Sequence, residues 1–355
     1  MDKRVLVLGA GTGASNNLIR SLKIGDASLF VVGAHDDRFV LKKSPADRNY
    51  LVPSSAVREF RDALHRVIAR ERVDLVIPAS DAHVNHVSDL RTDLPCRVFL
   101  PHPSTIDLCQ DKYDLTMFLR ARGLPAPLTY PVSDLETVTD TFAKFPAGRL
   151  VWCRIRRGTA SMGATSVKTA EQARGWIAYW HEMRGVPVDR FTLSEYLPGR
   201  DFLCQGLWRE GKLVLAKTFE RLSYFGGASS PSGVSSLSAL AKTIYEPRVL
   251  SVCRRVIDAV DPHATGVFSI DLKENDDGVP CITEINAGRF FMAMNNFDAV
   301  GKHNMAVTYV RVALGDDVPL HEEYDAVEDY YMVRDLDTLP AVFHADAFFD
   351  DIEEA

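Results

Sequence analysis

In the first third of the chain, apolar residues fall in short, β-branched-rich runs at Arg4–Leu8, Ser28–Val32, Asp74–Ile77 and Arg97–Leu100. Amphipathic stretches such as 56–70 separate them. Buried parallel strands joined by crossover helices carry this pattern, so residues 1–108 are expected to form an α/β lobe. Pro101, Pro103 and Ser104 punctuate the chain, and a helix is predicted over 111–122, stopped by Gly123-Leu-Pro125. An α+β lobe follows over 109–192, with strands at 150–154 and 166–168 around a Gly/Ser/Thr turn and an amphipathic helix at 170–184. The third segment, 193–355, reads as strands at 202–208 and 212–218, a Gly/Ser-rich loop from Ser223 to Ser238, and a helix with Leu250, Cys253, Ile257 and Val260 at helical spacing. Strands at 266–272 and 280–285 come next, and the tail from Ala345 is acidic enough to be a solvated end.

Composition narrows the function classes. A chain of 355 residues allows about two domains at roughly 150 residues each, and 46% apolar with 25% charged residues excludes a disordered or collagenous protein. The 41 Lys+Arg against 48 Asp+Glu leave a net charge of -7, which disfavours nucleic acid and anionic membranes as partners. Six cysteines lie far apart with no CxxC pair, so they are expected to be reduced core residues. The run Val5–Leu8 is too short for a signal-peptide core and nothing later approaches a membrane span, so the expected compartment is the cytoplasm.

The strongest chemical signal is Gly266-Val-Phe-Ser-Ile-Asp271 and Ile282-Thr-Glu284-Ile-Asn286 around an Asn-Asp-Asp-Gly turn, which predicts a hairpin. Period-2 alternation puts Glu284, Asn286 and Ile282 on one face and Thr283 and Ile285 on the other, with Asp271 meeting Glu284 across the pair. Two carboxylates and an amide oxygen form the hard donor set that Mg²⁺ takes when it also holds phosphates. A polar outer hairpin face accounts for the same residues taken alone, so the context decides.

That context resembles the ATP-grasp superfamily, in particular short, single-unit relatives of the carbamoyl-phosphate synthase large subunit, over about residues 3 to 315. The resemblance implies an α/β and α+β protein: a Rossmann-like pre-ATP-grasp lobe, a lid subdomain and a C-terminal antiparallel-sheet lobe. It implies ATP and Mg²⁺, or Mn²⁺ in its place, with Asp271, Glu284 and Asn286 as metal ligands. Arg289 would sit by the transferred phosphoryl group, although Glu284-Ile-Asn-Ala-Gly-Arg289 carries one residue, Gly288, more than the family's E-x-N-P-R. Ser194-Glu195-Tyr196-Leu197-Pro-Gly-Arg-Asp201 resembles the adenine hinge, Glu195 and Leu197 offering backbone groups and Asp201 the ribose acid; Ser194 and Asp201 both stand where the family has Glu. Lys112 resembles the helix-borne phosphate lysine and Arg154 the cation of the first lid strand. Arg156-Arg-Gly158-Thr-Ala-Ser161-Met-Gly163 resembles the lid turn, with Ser161 and Gly163 offering backbone to phosphate, and Ile155 replaces a common proline.

Gly9-Ala-Gly11-Thr12-Gly13 follows a strand and opens a helix, with Asp36 and Asp37 placed as ribose acids would be in a dinucleotide site. In the resembled family this turn instead faces substrate, which makes Gly11 and Thr12 candidates for receiving a carboxylate at a helix N-terminus. Asp81, His83 and His86 are read as polar groups at a helix start rather than metal ligands. Arg221 is the candidate anchor for an acidic substrate, with a surface salt bridge as the alternative, and the loop after it either covers substrate or lies mobile on the surface. The function expected is an ATP-dependent ligase joining a small-molecule carboxylate to an amine, amino-acid or peptide-like, through an acylphosphate. A homodimer is left open. The competing readings are a non-catalytic ATP-binding or sensing protein of the same fold and an NAD(P)-dependent oxidoreductase resting on the glycine turn alone.

Overall fold

The computed structural model describes residues 3–347 apart from Ala160, Pro231, 320–322 and Asp337. Strands β1 (Arg4–Leu8), β2 (Phe30–His35), β3 (Arg48–Leu51), β4 (Leu75–Ile77) and β5 (Arg97–Val98) form a parallel sheet in the order β3-β2-β1-β4-β5. Helices α1 (Gly13–Gly25), α2 (Arg38–Leu41), α3 (Glu59–Glu71) and α4 (Asp81–Asp89) make the crossovers. Strand order reverses between β1 and β4, and a crevice opens at the carboxyl ends of such a pair.

Helices α5 (Pro103–Gln110) and α6 (Lys112–Arg120) lead into the lid. There β6 (Thr129–Pro131), β7 (Val151–Ile155), β8 (Thr165–Val167) and β9 (Phe191–Glu195) form an antiparallel sheet, order β6-β9-β7-β8, with α7 (Val138–Phe142) and α8 (Ala170–Arg184). The boundaries expected at 108 and 192 fall inside α5 and β9. Pro103 does not interrupt the chain; it opens α5, where its missing N–H costs nothing.

The third unit is a seven-stranded antiparallel sheet, order β14-β13-β10-β11-β12-β15-β16. Its strands are β10 (Asp201–Arg209), β11 (Lys212–Tyr224), β12 (Ser238–Thr243), β13 (Gly266–Glu274), β14 (Pro280–Ala287), β15 (Tyr330–Val333) and β16 (Ala341–His344), with helices α9 (Pro247–Val260) and α10 (Met305–Ala313). Strand β11 runs six residues past the expected end at 218, so Arg221 lies within it rather than before a loop. Sequence reading missed β15 and β16. The acidic tail, beyond the turn Ala345–Ala347, lies outside the described residues.

One face of this sheet packs on α5, α6 and α9 through Trp208, Phe202, Cys253, Ile257 and Ile270. The other meets the parallel lobe through α1 and α10, where Leu207, Leu215 and Val267 share a core with Val5, Leu18 and Tyr309. All six cysteines are free, as expected; five are buried, and Cys96 is half-buried rather than in the core. No described helix is long and apolar enough to cross a membrane.

The segment after β14 is held by a buried ion cluster: Lys217 Nζ bridges Asp298 at 3.1 Å and Asp325 at 3.2 Å. Lys217→Met leaves two buried carboxylates without their cation, so urea unfolding should show a loss of about 3–5 kcal/mol; a midpoint equal to wild type would mean the cluster contributes nothing.

Candidate functional site

Alternation along β10, β11 and β13 builds rows across one sheet face. Asp201 pairs with Arg221 on β11 and Lys273 on β13, Leu203 pairs with Asp271, and Gln205 pairs with Lys217 and Ser269. On β14, Glu284 lies opposite Asp271 and Asn286 opposite Ser269. The register then slips by one, Leu272 pairing with Ile282, so Thr283 is an inserted bulge residue. This corrects the expected alternation: Ile282 shares the hydrophobic core with Ile285 rather than the polar face with Glu284 and Asn286.

Arg221 does not wait for an acidic substrate. Its Nη1 donates to both oxygens of Asp201 at 3.2 Å, its Nη2 donates to Asp271 at 3.2 Å, and its Nε donates to Ser238 Oγ. Although burial opposes its charge, Asp201 and Asp271 hold its pKa above the ordinary value. Tyr224 O–H also donates to Asp201. Asp271 is pushed up to about 7, chiefly by burial; Arg221 pulls it down while Glu284 and Asp201 push it further up.

A buried carboxyl held up in this way, as Asp271 is, favours a cation beside it. Among the described residues no three His, Cys, Asp or Glu side chains group as a metal site. The metal reading therefore rests on Asp271, Glu284 and the amide of Asn286, whose Nδ2 lies 3.3 Å from Asp271. Two carboxylates and an amide oxygen, beside an open cavity that supplies room for phosphate oxygens, fit Mg²⁺.

Two cations face this hairpin from other elements. Lys112, at the start of α6, donates to Gly158 O of the lid turn at 2.7 Å and lies 3.4 Å from Glu284. Arg154 of β7 donates through Nη1 to Thr283 O at 3.0 Å, while its buried Nε has no partner among the described residues. Burial lowers its pKa, with Glu284 and Asp271 acting in the opposite direction. The first lid-turn residues are clamped: Arg156 and Arg157 both donate to Asp111, the N-cap of α6. Ser161 and Gly163 take positive φ, 55° and 68°, in the tight turn that follows.

At the hinge, Glu195 N–H is already used by Leu128 O at 2.7 Å, and its carboxylate accepts the Leu128 N–H at 3.1 Å. Leu197 N–H has no acceptor among the described residues. Lys273 lines the same region with its ammonium over the Tyr196 ring at 5.6 Å. Sequence reading missed it, although its place two residues after Asp271 on one strand was the available signal.

The glycine turn serves its own lobe. A Cβ at Gly11 would stand 1.9 Å from Val40 O, Thr12 caps α1, and Asp37 caps α2 through Phe39 and Val40 N–H. Gly11 and Thr12 stay outside the cavity, which Ala14 of α1 lines instead. Asp81, read from sequence as a helix-start group, reaches the cavity and accepts from Arg289 Nε, while Arg289 Nη2 donates to Asn286. Gly288, at φ 88°, absorbs the extra residue before Arg289 and brings it back to the hairpin. A cavity of about 540 Å³ runs from Tyr196 and Lys273, past Lys112, Arg154 and Glu284, to Asp81 and Arg289. The later part of the Gly/Ser loop, Val234 to Leu237, lines it as well.

No protein-family model and no curated protein sequence matches the chain. Solved structures do. An L-amino acid ligase from Bacillus licheniformis superposes with a TM-score of 0.68 at 12% identity, covering 93% of this chain and 78% of the other. A carboxyaminoimidazole ribonucleotide synthase from Aspergillus clavatus, complexed with ATP, gives 0.68 at 12%, covering 94% and 82%. The biotin carboxylase domain of a Hydrogenobacter thermophilus 2-oxoglutarate carboxylase, complexed with MgADP and bicarbonate, gives 0.70 at 14%, covering 93% and 73%. At these identities the likeness establishes the fold, and the fold is ATP-grasp, as the motifs implied.

Two residues after Asp81, His83 packs on Gly9 with Nδ1 unpartnered among the described residues, and burial, then His35, push its pKa down to about 4. The unfolded chain takes up this proton near pH 6.5 and the folded one only near 4, so stability present above pH 6.5 drains away as pH falls between the two, by about 3 kcal/mol in all. Urea melts from pH 7 to 4 should show that slope, and His83→Asn should flatten it.

Proposed function

We propose that the protein is an ATP-dependent ligase that joins a carboxylate to an amine, transferring the γ-phosphoryl group to the carboxylate and releasing ADP and then phosphate. The observation that carries this reading is Arg154: a buried guanidinium with an unpartnered Nε, set with Lys112 against the Asp271, Glu284 and Asn286 hairpin in one cavity. A cation kept in that state invites an anion with many oxygens, and a carboxylate hairpin opposite it invites a metal to accompany that anion.

Each residue then has a task. Leu197 N–H and the Glu195 carbonyl meet the base, Asp201, fixed by Arg221 and Tyr224, meets the ribose, and Lys112 and Arg154 hold the triphosphate. Gly163 and Ser161 shape the turn that closes over it. Asp271, Glu284 and Asn286 would hold Mg²⁺, or Mn²⁺, which neutralises phosphate charge when bound. Arg289 stands beside Asn286 at the Asp81 end of the cavity, where the carboxylate would approach, and offsets charge on the oxygens that pass between ATP and acceptor. Arg221 orients Asp201 and Asp271 rather than touching substrate. The L-amino acid ligase and the carboxyaminoimidazole ribonucleotide synthase of like fold support an acid-to-amine joining reaction, and the complexes with ATP and MgADP support the nucleotide and its metal.

ADP release in the presence of the twenty common amino acids, compared with none added, tests the reading. Glu284→Gln, nearly isosteric, should keep the fold by circular dichroism yet lower turnover about 100-fold or more, and a chelator should weaken ATP binding in calorimetry. ATP binding of equal strength with and without Mg²⁺ would remove the hairpin as the metal site. Arg289→Ala should lower kcat by a factor on the order of 100 with little change in ATP affinity, because its charge matters most as the phosphoryl group moves. Near-normal kcat would take Arg289 off the catalytic list.

A further inference from the structure

Five carboxylates line the cavity, and four of them have work already: Asp271 and Glu284 on the hairpin, Asp201 under Arg221 and Tyr224, and Glu195 on the Leu128 N–H. The fifth, Asp81, stands apart from these on the parallel lobe. It lies in the first turn of α4, just after β4, at the crevice where strand order reverses. Ser80 caps that helix by accepting the His83 N–H at 3.2 Å. One Asp81 oxygen accepts from Arg289 Nε, and the other has no partner among the described residues. Its side chain is 29% exposed, into the cavity.

Resting on the ligase reading, we infer that Asp81 binds the amine substrate as its ammonium and takes a proton from it as the nitrogen attacks. An amine reaching the acylphosphate from the parallel lobe meets Asp81 before any other free carboxylate. Its ammonium takes the open oxygen of Asp81, and Arg289, the other partner, is then free to follow the phosphoryl oxygens. In the step itself the nitrogen bonds to the acyl carbon and the C–O bond to phosphate breaks. The electron pair of that bond leaves with the phosphate. R–CO–OPO₃²⁻ and R′–NH₃⁺ become R–CO–NH–R′, HPO₄²⁻ and one H⁺. Of the two protons the nitrogen loses, Asp81 takes the first and phosphate the second, and the Asp81 proton passes to solvent.

The test separates amines that arrive charged from a nucleophile that does not. Hydroxylamine is uncharged at neutral pH and traps acylphosphates as hydroxamates. With the twenty common amino acids as carboxylates, ADP release is followed in wild type and Asp81→Asn, once with the amino acids' own amines and once with hydroxylamine in excess. The expected result is that Asp81→Asn lowers the amine-dependent rate about 100-fold more than the hydroxylamine-dependent rate, chiefly as a raised KM for the amine at neutral pH that recovers as pH rises and the free amine appears. An equal fall in both rates would make Asp81 only the keeper of Arg289 and would overturn the inference, as would no fall in either. Absence of hydroxamate in the wild type would overturn the ligase reading itself and this inference with it.

Discussion

Two carboxylates on adjacent strands, Asp201 and Asp271, share a single guanidinium, and the rest of the site is arranged around that sharing. Arg221 gives one nitrogen to each, in a place where burial works against its own charge and that of Asp271. Removing the guanidinium would leave two like charges in a medium of low polarity, where repulsion far exceeds its value in water. With it in place, Asp201 is held beside Lys273 and Tyr196 at one end of the cavity and Asp271 opposite Glu284. The hairpin keeps a net negative character that a metal can complete, and Lys112 and Arg154, brought in by α6 and β7, approach the same hairpin.

The strand that carries Glu284 and Asn286 must also return Arg289 to the site, and this depends on the sheet below. Ser269 donates to Arg289 O at 2.8 Å, and Gln205 Oε1 accepts the Phe291 N–H at 2.8 Å. With Lys217 on Asp298, one polar row of the sheet pins the chain from 289 to 298. Gly288 supplies the left-handed turn that lets this happen one residue later than the family pattern. An insertion that looked like a fault in the motif is thus absorbed by local backbone freedom and by three buried contacts.

The lid and the parallel lobe close the cavity from either side by different means. Asp111 gathers Arg156 and Arg157, so the lid turn starts from a fixed base. The parallel lobe contributes through the start of α4, with Ala14 of α1 beside it, while Gly11 packs against the carbonyl of Val40 and Asp37 caps α2.

What the sequence by itself determined is what local periodicity carries: the parallel strands and crossover helices of the first lobe, the helix at 170–184, and the hairpin that sets Asp271 against Glu284 with Asn286 alongside. Backbone geometry sets those relations within a few residues, so a pattern of two or 3.6 reveals them. Lys273 was legible by the same rule and went unread. Tertiary structure decided the rest. The bulge at Thr283 moved Ile282 into the core because packing against α5, α6 and α9 outweighed simple alternation. Arg221 became an internal counterion rather than a substrate anchor because the sheet placed two acids beside it. Asp81 met Arg289 across 208 residues of chain, a pairing that only the docking of the parallel lobe on the seven-stranded sheet creates. Charge neutralisation in a buried site is a property of neighbours in space, and a linear pattern holds no record of which neighbours those are.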